Sequence, residues 1–167
     1  MKMKKIGLLS DTHNHWDAKY GKYFSDCDQI WHAGDIGSIG LAQQFEEFKP
    51  FRAVYGNIDD ARVRAAFPEF LRFEEEGVDV LMTHIGGYPG KYNPKVRQIL
   101  QVSPPKVFIC GHSHILKVIY DKQYKCLTIN PGAAGIYGFH QVRTLVKFIL
   151  DRGIIKDLEV IELSDRD

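Results

Sequence analysis

Cysteine is scarce in this chain, with three thiols, Cys27, Cys110 and Cys126, in 167 residues. Their number is odd, they lie far apart and no Cys-x-x-Cys pair occurs, so they read as reduced thiols, and neither a disulfide frame nor a thiolate metal site is expected. Long apolar runs are lacking too. No stretch reaches the roughly 18 residues that a membrane-spanning helix needs. Behind the basic start, Met1 to Lys5, the apolar stretch Ile6 to Leu9 stops at Ser10 and Asp11, too short for a signal peptide. A cytoplasmic protein with no membrane partner is therefore expected. An excess of either charge is also missing: 22 Lys and Arg stand against 21 Asp and Glu, for a net charge of +1. Bulk binding to nucleic acid is not expected from such a balance, although a single phosphate group remains open as a substrate. No repeat, Gly/Ser linker or low-complexity tract interrupts the chain.

What is present fits an ordinary globular protein. Hydrophobic residues make up 44% and charged residues 26%, which excludes disordered, collagen-like and coiled-coil chains. At about 150 residues per domain the expectation is one domain, 1–167, large enough to bury roughly 70% of its unfolded surface.

Apolar patterning places strands at Lys5 to Leu9, Gln29 to Ala33, Arg52 to Tyr55 and Lys106 to Cys110, and a hairpin from Phe70 to Thr83. Further strands are read at Ile115 to Tyr120, Cys126 to Ile129, Thr144 to Leu150 and Ile154 to Leu163. Helical spacing covers Trp16 to Phe24, Ile39 to Phe48, Ala61 to Phe67 behind an Asp59 or Asp60 cap, and Pro94 to Gln101. Strand-helix alternation followed by a β-rich half predicts an α/β fold of two packed sheets with helices outside.

The residues that carry chemistry fall at strand ends. Asp11 and His13 follow the first strand, Asp35 the second and Asn57 the third; His84 ends the hairpin, and His112 and His114 follow the Lys106 to Cys110 strand. Such placement brings them to one rim, where open α/β sheets assemble their sites. Four imidazoles, two carboxylates and one amide exceed what a single ion can use. A nitrogen and oxygen set without thiolate suits Mn, Fe, Co, Ni or Zn. One carboxylate shared by two ions would hold them about 3.5–4 Å apart, as in two-metal hydrolases, and two such cations would attract phosphate.

Taken singly these motifs have plainer readings. Gly34-Asp35 and Gly56-Asn57 are also turn dipeptides, and His84 is also a strand-end histidine; only their order makes a set. For His32, in an apolar strand, a buried hydrogen-bonded histidine is expected, and Cys110 reads as core. Trp16, Tyr20, Tyr23 and Phe24 read as packing. Lys91, Lys95 and Arg97 read as a solvated helix face, close enough behind His84 to reach a substrate phosphate.

In order along the chain, Asp11-Thr12-His13, Gly34-Asp35, Gly56-Asn57, His84 before glycines and Gly111-His112-Ser113-His114 resemble the motif set of the calcineurin-like metallophosphoesterase superfamily. The short length and Ile129-Asn130-Pro131-Gly132 are similar to its small bacterial and archaeal phosphodiesterase branch, to which the retromer small subunit is related. The resemblance implies a four-layer α-β-β-α sandwich of two mixed sheets flanked by helices. It implies a phosphoesterase, more specifically a phosphodiesterase, in which a metal-bridging hydroxide attacks phosphorus in line and no protein nucleophile is needed. Two divalent ions are implied, with manganese first and Zn, Fe, Ni or Co as alternatives. Asp11, His13 and His114 would hold one, Asn57, His84 and His112 the other, and Asp35 would bridge them. A small phosphoester substrate and a homodimer are implied as partners. The alternative is a non-catalytic scaffold on the same fold, although no ligand of the set is missing.

Two positions depart from the pattern. Larger members place a proton-donating His after the motif Asn, where this chain has Ile58, followed by the acidic Asp59. Asp59, His15 and His140 are therefore the groups to inspect as auxiliaries. Ala133 stands where relatives often have Ser, which leaves substrate contacts at that loop open.

Overall fold

The computed structural model describes residues 3–140 and 142–163; Met1 and Lys2 of the basic start and the last residues of the 1–167 span lie outside the described residues. Apolar runs too brief for a helix become strands. The first half alternates β1 (Lys4–Leu9), α1 (Ala18–Phe24), β2 (Gln29–His32), α2 (Ile39–Phe48), β3 (Phe51–Ala53) and α3 (Ala61–Ala66). The hairpin β4 (Phe70–Glu75) and β5 (Val78–Thr83) follows, then α4 (Pro94–Val102) and β6 (Val107–Ile109). The chain ends in β7 (Lys117–Asp121), β8 (Cys126–Asn130), β9 (Arg143–Asp151) and β10 (Ile154–Leu163).

These strands make two five-stranded mixed sheets, ordered β10-β9-β1-β2-β3 and β4-β5-β6-β8-β7. In the first, β1, β2 and β3 run parallel while β9 lies antiparallel beside β1; in the second, β5, β6 and β8 run parallel. Three apolar clusters give the layers. Ile6, Leu8, Trp31, Val146 and Phe148 of the first sheet meet Val80, Met82, Val107, Ile109 and Ile129 of the second in the central interior. Tyr20, Phe24, Leu41, Phe45 and Val63 of α1, α2 and α3 cover the other face of the first sheet. Val96 and Leu100 of α4 cover that of the second through Leu81 and Phe108. The molecule is the expected four-layer α-β-β-α sandwich. Trp31 links the sheets, with its ring edge-on to Phe73 at 4.9 Å and to Phe148 at 5.6 Å. Among the described residues no helix is long and apolar enough to cross a membrane.

Caps explain where helices begin. α1 starts at Ala18 rather than Trp16 because the Asp17 carboxylate accepts from Lys19 N–H and ends the preceding loop there. Trp16 instead packs its ring against Tyr20, Phe45 and Phe48. Asp60, of the two aspartates considered, caps α3 by accepting from Val63 N–H. Asn93 caps α4, whose first turn carries Pro94 where no N–H is needed. β3 is shorter than expected and β7 is shifted toward Asp121, because strand ends follow sheet pairing that local patterning does not contain.

Candidate metal centre

The carboxyl ends of β1, β2, β3, β5 and β6 meet at one edge of both sheets, and all seven residues singled out from the sequence gather there. Backbone hydrogen bonds zip their loops together. Asp11 N–H donates to Gly34 C=O at 3.0 Å, His13 N–H to Asp35 C=O at 3.0 Å, and Gly111 N–H to His84 C=O at 2.9 Å. Asp11, His13, Asp35, His112 and His114 all adopt the left-handed region, with φ of 56°, 45°, 56°, 72° and 63°. That conformation costs a non-glycine residue about 1–2 kcal/mol and persists where surrounding contacts over-determine it.

Two glycines permit this crowding. A Cβ on Gly56 would lie 2.0 Å from Asp35 Oδ1, and one on Gly111 would lie 2.1 Å from Ser10 Oγ. Gly56-Asn57 is therefore a point of close approach to Asp35 as well as a turn dipeptide, and Gly111 is one to Ser10 and Asp11.

The donor atoms fall into two groups, Asp11 with His13 and His114, and Asp35 with His84 and His112, the atoms of each lying within 4.8 Å of one another. Asp35 Oδ2 stands between the groups, 3.4 Å from His13 Nε2 and 3.2 Å from His84 Nε2. Asn57 Oδ1 lies 3.0 Å from His112 Nδ1 and so joins the second group.

Hydrogen bonds behind the site aim the bare atoms inward. Ser10 Oγ–H at 2.7 Å and His112 N–H at 3.1 Å both donate to Asp11 Oδ2, leaving Oδ1 to face the centre. His84 Nδ1–H donates to Ala33 C=O at 2.8 Å, which turns Nε2 toward both aspartates. His140 Nε2–H donates to Gly135 C=O at 2.7 Å; with His140 neutral, its Nδ1 accepts from His114 Nδ1–H and leaves His114 Nε2 as a lone pair, 3.2 Å from Asp11 Oδ1. Asp11 Oδ1, His13 Nε2 and His84 Nε2 are buried without a hydrogen-bond partner. Buried polar atoms are normally satisfied. Lone pairs and carboxylates facing one another at this range require a cation between them, either a proton or a metal ion.

The electrostatics agree. Burial would raise Asp11, but the imidazoles of His114 and His13 and the Ser10 hydroxyl outweigh it and hold the carboxyl well below its usual range. Burial is likewise outweighed at Asp35 by His13, His84 and the Ile58 N–H. The carboxylates of Asp11 and Asp35 facing its ring outweigh burial and push His13 up to about 9. His84 is raised despite its burial by the same two carboxylates, while burial and neighbouring His84 lower His112. The donor set, its orphaned atoms and its affinity for positive charge fit divalent ions bound through nitrogen and oxygen.

The auxiliary residues fall elsewhere. Asp59 is buried with its carboxylate accepting from Ile36, Gly37 and Gly56 N–H; it anchors the Asp35 and Asn57 loops and does not line the cavity over the site. His15 points its Nε2 to within 4.0 Å of Asp17 and is not among the residues lining the cavity over the site. His140 does line that cavity, as the outer partner of His114. Ala133 is buried, so no substrate contact through its side chain is available. His32 is the satisfied histidine expected, accepting from Gly34 N–H and bonded to Thr12 Oγ1, with burial lowering it to about 3. Sequence reasoning gave no role to Ser10, nor to Asn130 beyond its place in Ile129-Asn130-Pro131-Gly132; Asn130 Nδ2 donates to Gly111 C=O and Ser113 Oγ and steadies the His112 loop. Sequence reasoning also missed the buried Arg143, which ties Ala134 C=O to Asp17. Adjacency to the motifs was the only signal for the first two.

The fold and this clustered rim define a class, the calcineurin-like phosphoesterases. The chain belongs to that superfamily, whose domain matches residues 3–153. Among its relatives, a phosphodiesterase of Methanocaldococcus jannaschii is 26% identical over 144 residues, covering 77% of this chain and 82% of that protein. A solved archaeal phosphodiesterase superposes with a TM-score of 0.71 at 25% identity, covering 95% of this chain and 99% of the other. Vps29 of Entamoeba histolytica in complex with Zn²⁺ has the same fold, with a TM-score of 0.65 at 15% identity and coverage of 95% and 98%.

Proposed function

We propose that the protein is a metal-dependent phosphodiesterase with a two-ion centre. Asp11, His13 and His114 would hold one ion, Asn57, His84 and His112 the second, and Asp35 both. Manganese is the first expectation, with Zn, Fe, Ni or Co as alternatives that the same donors accept. The observation that carries this reading is the convergence of three buried, unpartnered atoms, Asp11 Oδ1, His13 Nε2 and His84 Nε2, on one space. Family membership and the archaeal relatives named as phosphodiesterases support it.

When bound, two divalent ions supply Lewis acidity, neutralising phosphoryl oxygens and acidifying water at neutral pH. The chain's own residues do the rest. Asp11 and Asp35 together carry less charge than two such ions, so a phosphate is drawn to the site although the protein is nearly neutral overall. Ala33 C=O and His140 fix the tautomers of His84 and His114, so both present bare Nε2 atoms without rearranging. No Ser, Thr or Cys need act as nucleophile. Ile58 lies on the cavity wall, at the position where larger members of the family carry a proton-donating His, and has no proton to give, so substrates with good leaving groups are favoured.

The test is hydrolysis of bis(p-nitrophenyl) phosphate by protein loaded with Mn²⁺, Zn²⁺, Ni²⁺ or Co²⁺. Turnover is expected, and His84→Ala or Asp35→Asn should abolish it. Absence of turnover with every metal removes the reading and leaves a binding module on the same fold.

A further inference from the structure

Two cavities meet at Asn57. One, of about 410 Å³, runs past His84 to Arg64 and Lys95. The other, of about 600 Å³, is lined by five of the seven candidate donors, Asp11 and His84 lying outside it, and by Ile58, Ile115, Tyr137 and Phe139. Among the described residues the larger has no Lys or Arg in its lining to offer a cation. Its apolar walls are unusually open to solvent: Ile115 is 57%, Tyr137 70% and Phe139 fully exposed. Tyr137 stacks one ring face on His13, 5.3 Å away at 26°, and is thereby held beside the metal ligands.

We infer that this cavity binds the uncharged aromatic arm of a phosphodiester whose phosphate sits over the ligand cluster. This deepens the phosphodiesterase reading and rests on it for the placement of the phosphate. Three features carry the inference. Large exposed apolar side chains in a soluble protein mark binding surfaces. Here they line a concavity shared with the metal ligands, of a volume usual for small-ligand sites, rather than a flat face suited to a protein. The steered phosphate and the apolar side of the cavity, formed by Ile58, Ile115, Tyr137 and Phe139, also sort the arm, since a further phosphate or carboxylate on it would lose its hydration there without gaining a partner. Two aromatic rings, one held by stacking, suit a planar arm such as a phenyl ring or a nucleobase.

The test is binding rather than turnover. Zn²⁺-loaded protein is titrated with diphenyl phosphate and with dimethyl phosphate by calorimetry, and hydrolysis of bis(p-nitrophenyl) phosphate is followed in parallel. Diphenyl phosphate should bind roughly tenfold tighter or more, the gain expected of aromatic stacking. An Ile115→Ser, Tyr137→Ser, Phe139→Ser triple variant should bring the ratio of the two affinities close to one. All three side chains are exposed, so an unchanged melting temperature verifies that the variant is folded. Equal affinities in the wild type, or a preference that survives in the variant, overturns the inference. Preference without turnover would remove the hydrolase and keep the aromatic site; turnover without preference would remove the aromatic site alone. Binding of neither diester overturns both.

Discussion

His114 Nδ1 lies 3.1 Å from His140 Nδ1, and the second nitrogen of His140 is committed to the carbonyl of Gly135 at 2.7 Å. With a neutral His140, whose one N–H goes to Gly135, His140 Nδ1 accepts and His114 Nδ1–H donates. His140, 26 residues further along the chain, therefore sets which nitrogen of His114 faces the candidate ion.

Removing that partner should weaken metal binding without unfolding the protein. His140→Ala is expected to lower affinity for the ion at Asp11, His13 and His114 by about 10–100-fold, the usual effect of losing a ligand's outer hydrogen bond. His140→Gln, which keeps a carbonyl acceptor, should recover most of it. Competition with a chromogenic chelator reads both, and unchanged affinity in His140→Ala would contradict the role.

Protons and metal compete for the same atoms. With His13 held near 9 by Asp11 and Asp35, metal-free protein at neutral pH carries a proton that an incoming ion must displace. Apparent affinity should therefore rise by about tenfold per pH unit toward 9 and then level off. His13→Asn should flatten the slope.

The same shifts shape stability of the metal-free chain. His13 is raised from 6.5 to about 9, so its contribution is complete below 6.5 and is lost as pH rises through 9. His32 is lowered from 6.5 to about 3, so the folded state binds fewer protons than the unfolded one between those values, and stability is lost as pH falls below 6.5. Urea unfolding should place the maximum near pH 6.5, with His13→Asn flattening the alkaline limb and His32→Asn the acid limb.

Ile58 gives a prediction of gained function. In the wild type the rate should fall steeply as the leaving group becomes a poorer one. Ile58→His should accelerate alkyl leaving groups, by up to about 10²–10⁴-fold if the imidazole is well placed, and change aryl substrates little. An equal effect on both classes would show that proton delivery is not what Ile58 withholds.

Much of this architecture was legible in the sequence, because strand ends carrying Asp, His and Asn next to glycines are local features. The role of Asp59 was not: its position suggested an auxiliary acid, and only the fold brings Ile36, Gly37 and Gly56 N–H onto its carboxylate. Five of the candidate ligands occupy left-handed backbone that propensity assigns to glycine or asparagine, and that conformation exists because loops from different strands lock one another. Trp16 reads as helical by spacing, yet the Asp17 cap excludes it. His140 pairs with His114 only through tertiary structure, and no spacing rule connects them.

The most direct test of the account is the number of ions bound. Calorimetric titration of metal-free protein with Mn²⁺ or Zn²⁺ should reach two ions per chain, and Asp35→Asn should reduce it to one or fewer, because its carboxylate stands between both donor groups. Saturation at one ion per chain in the wild type, or two ions undisturbed by Asp35→Asn, would contradict the two-ion centre.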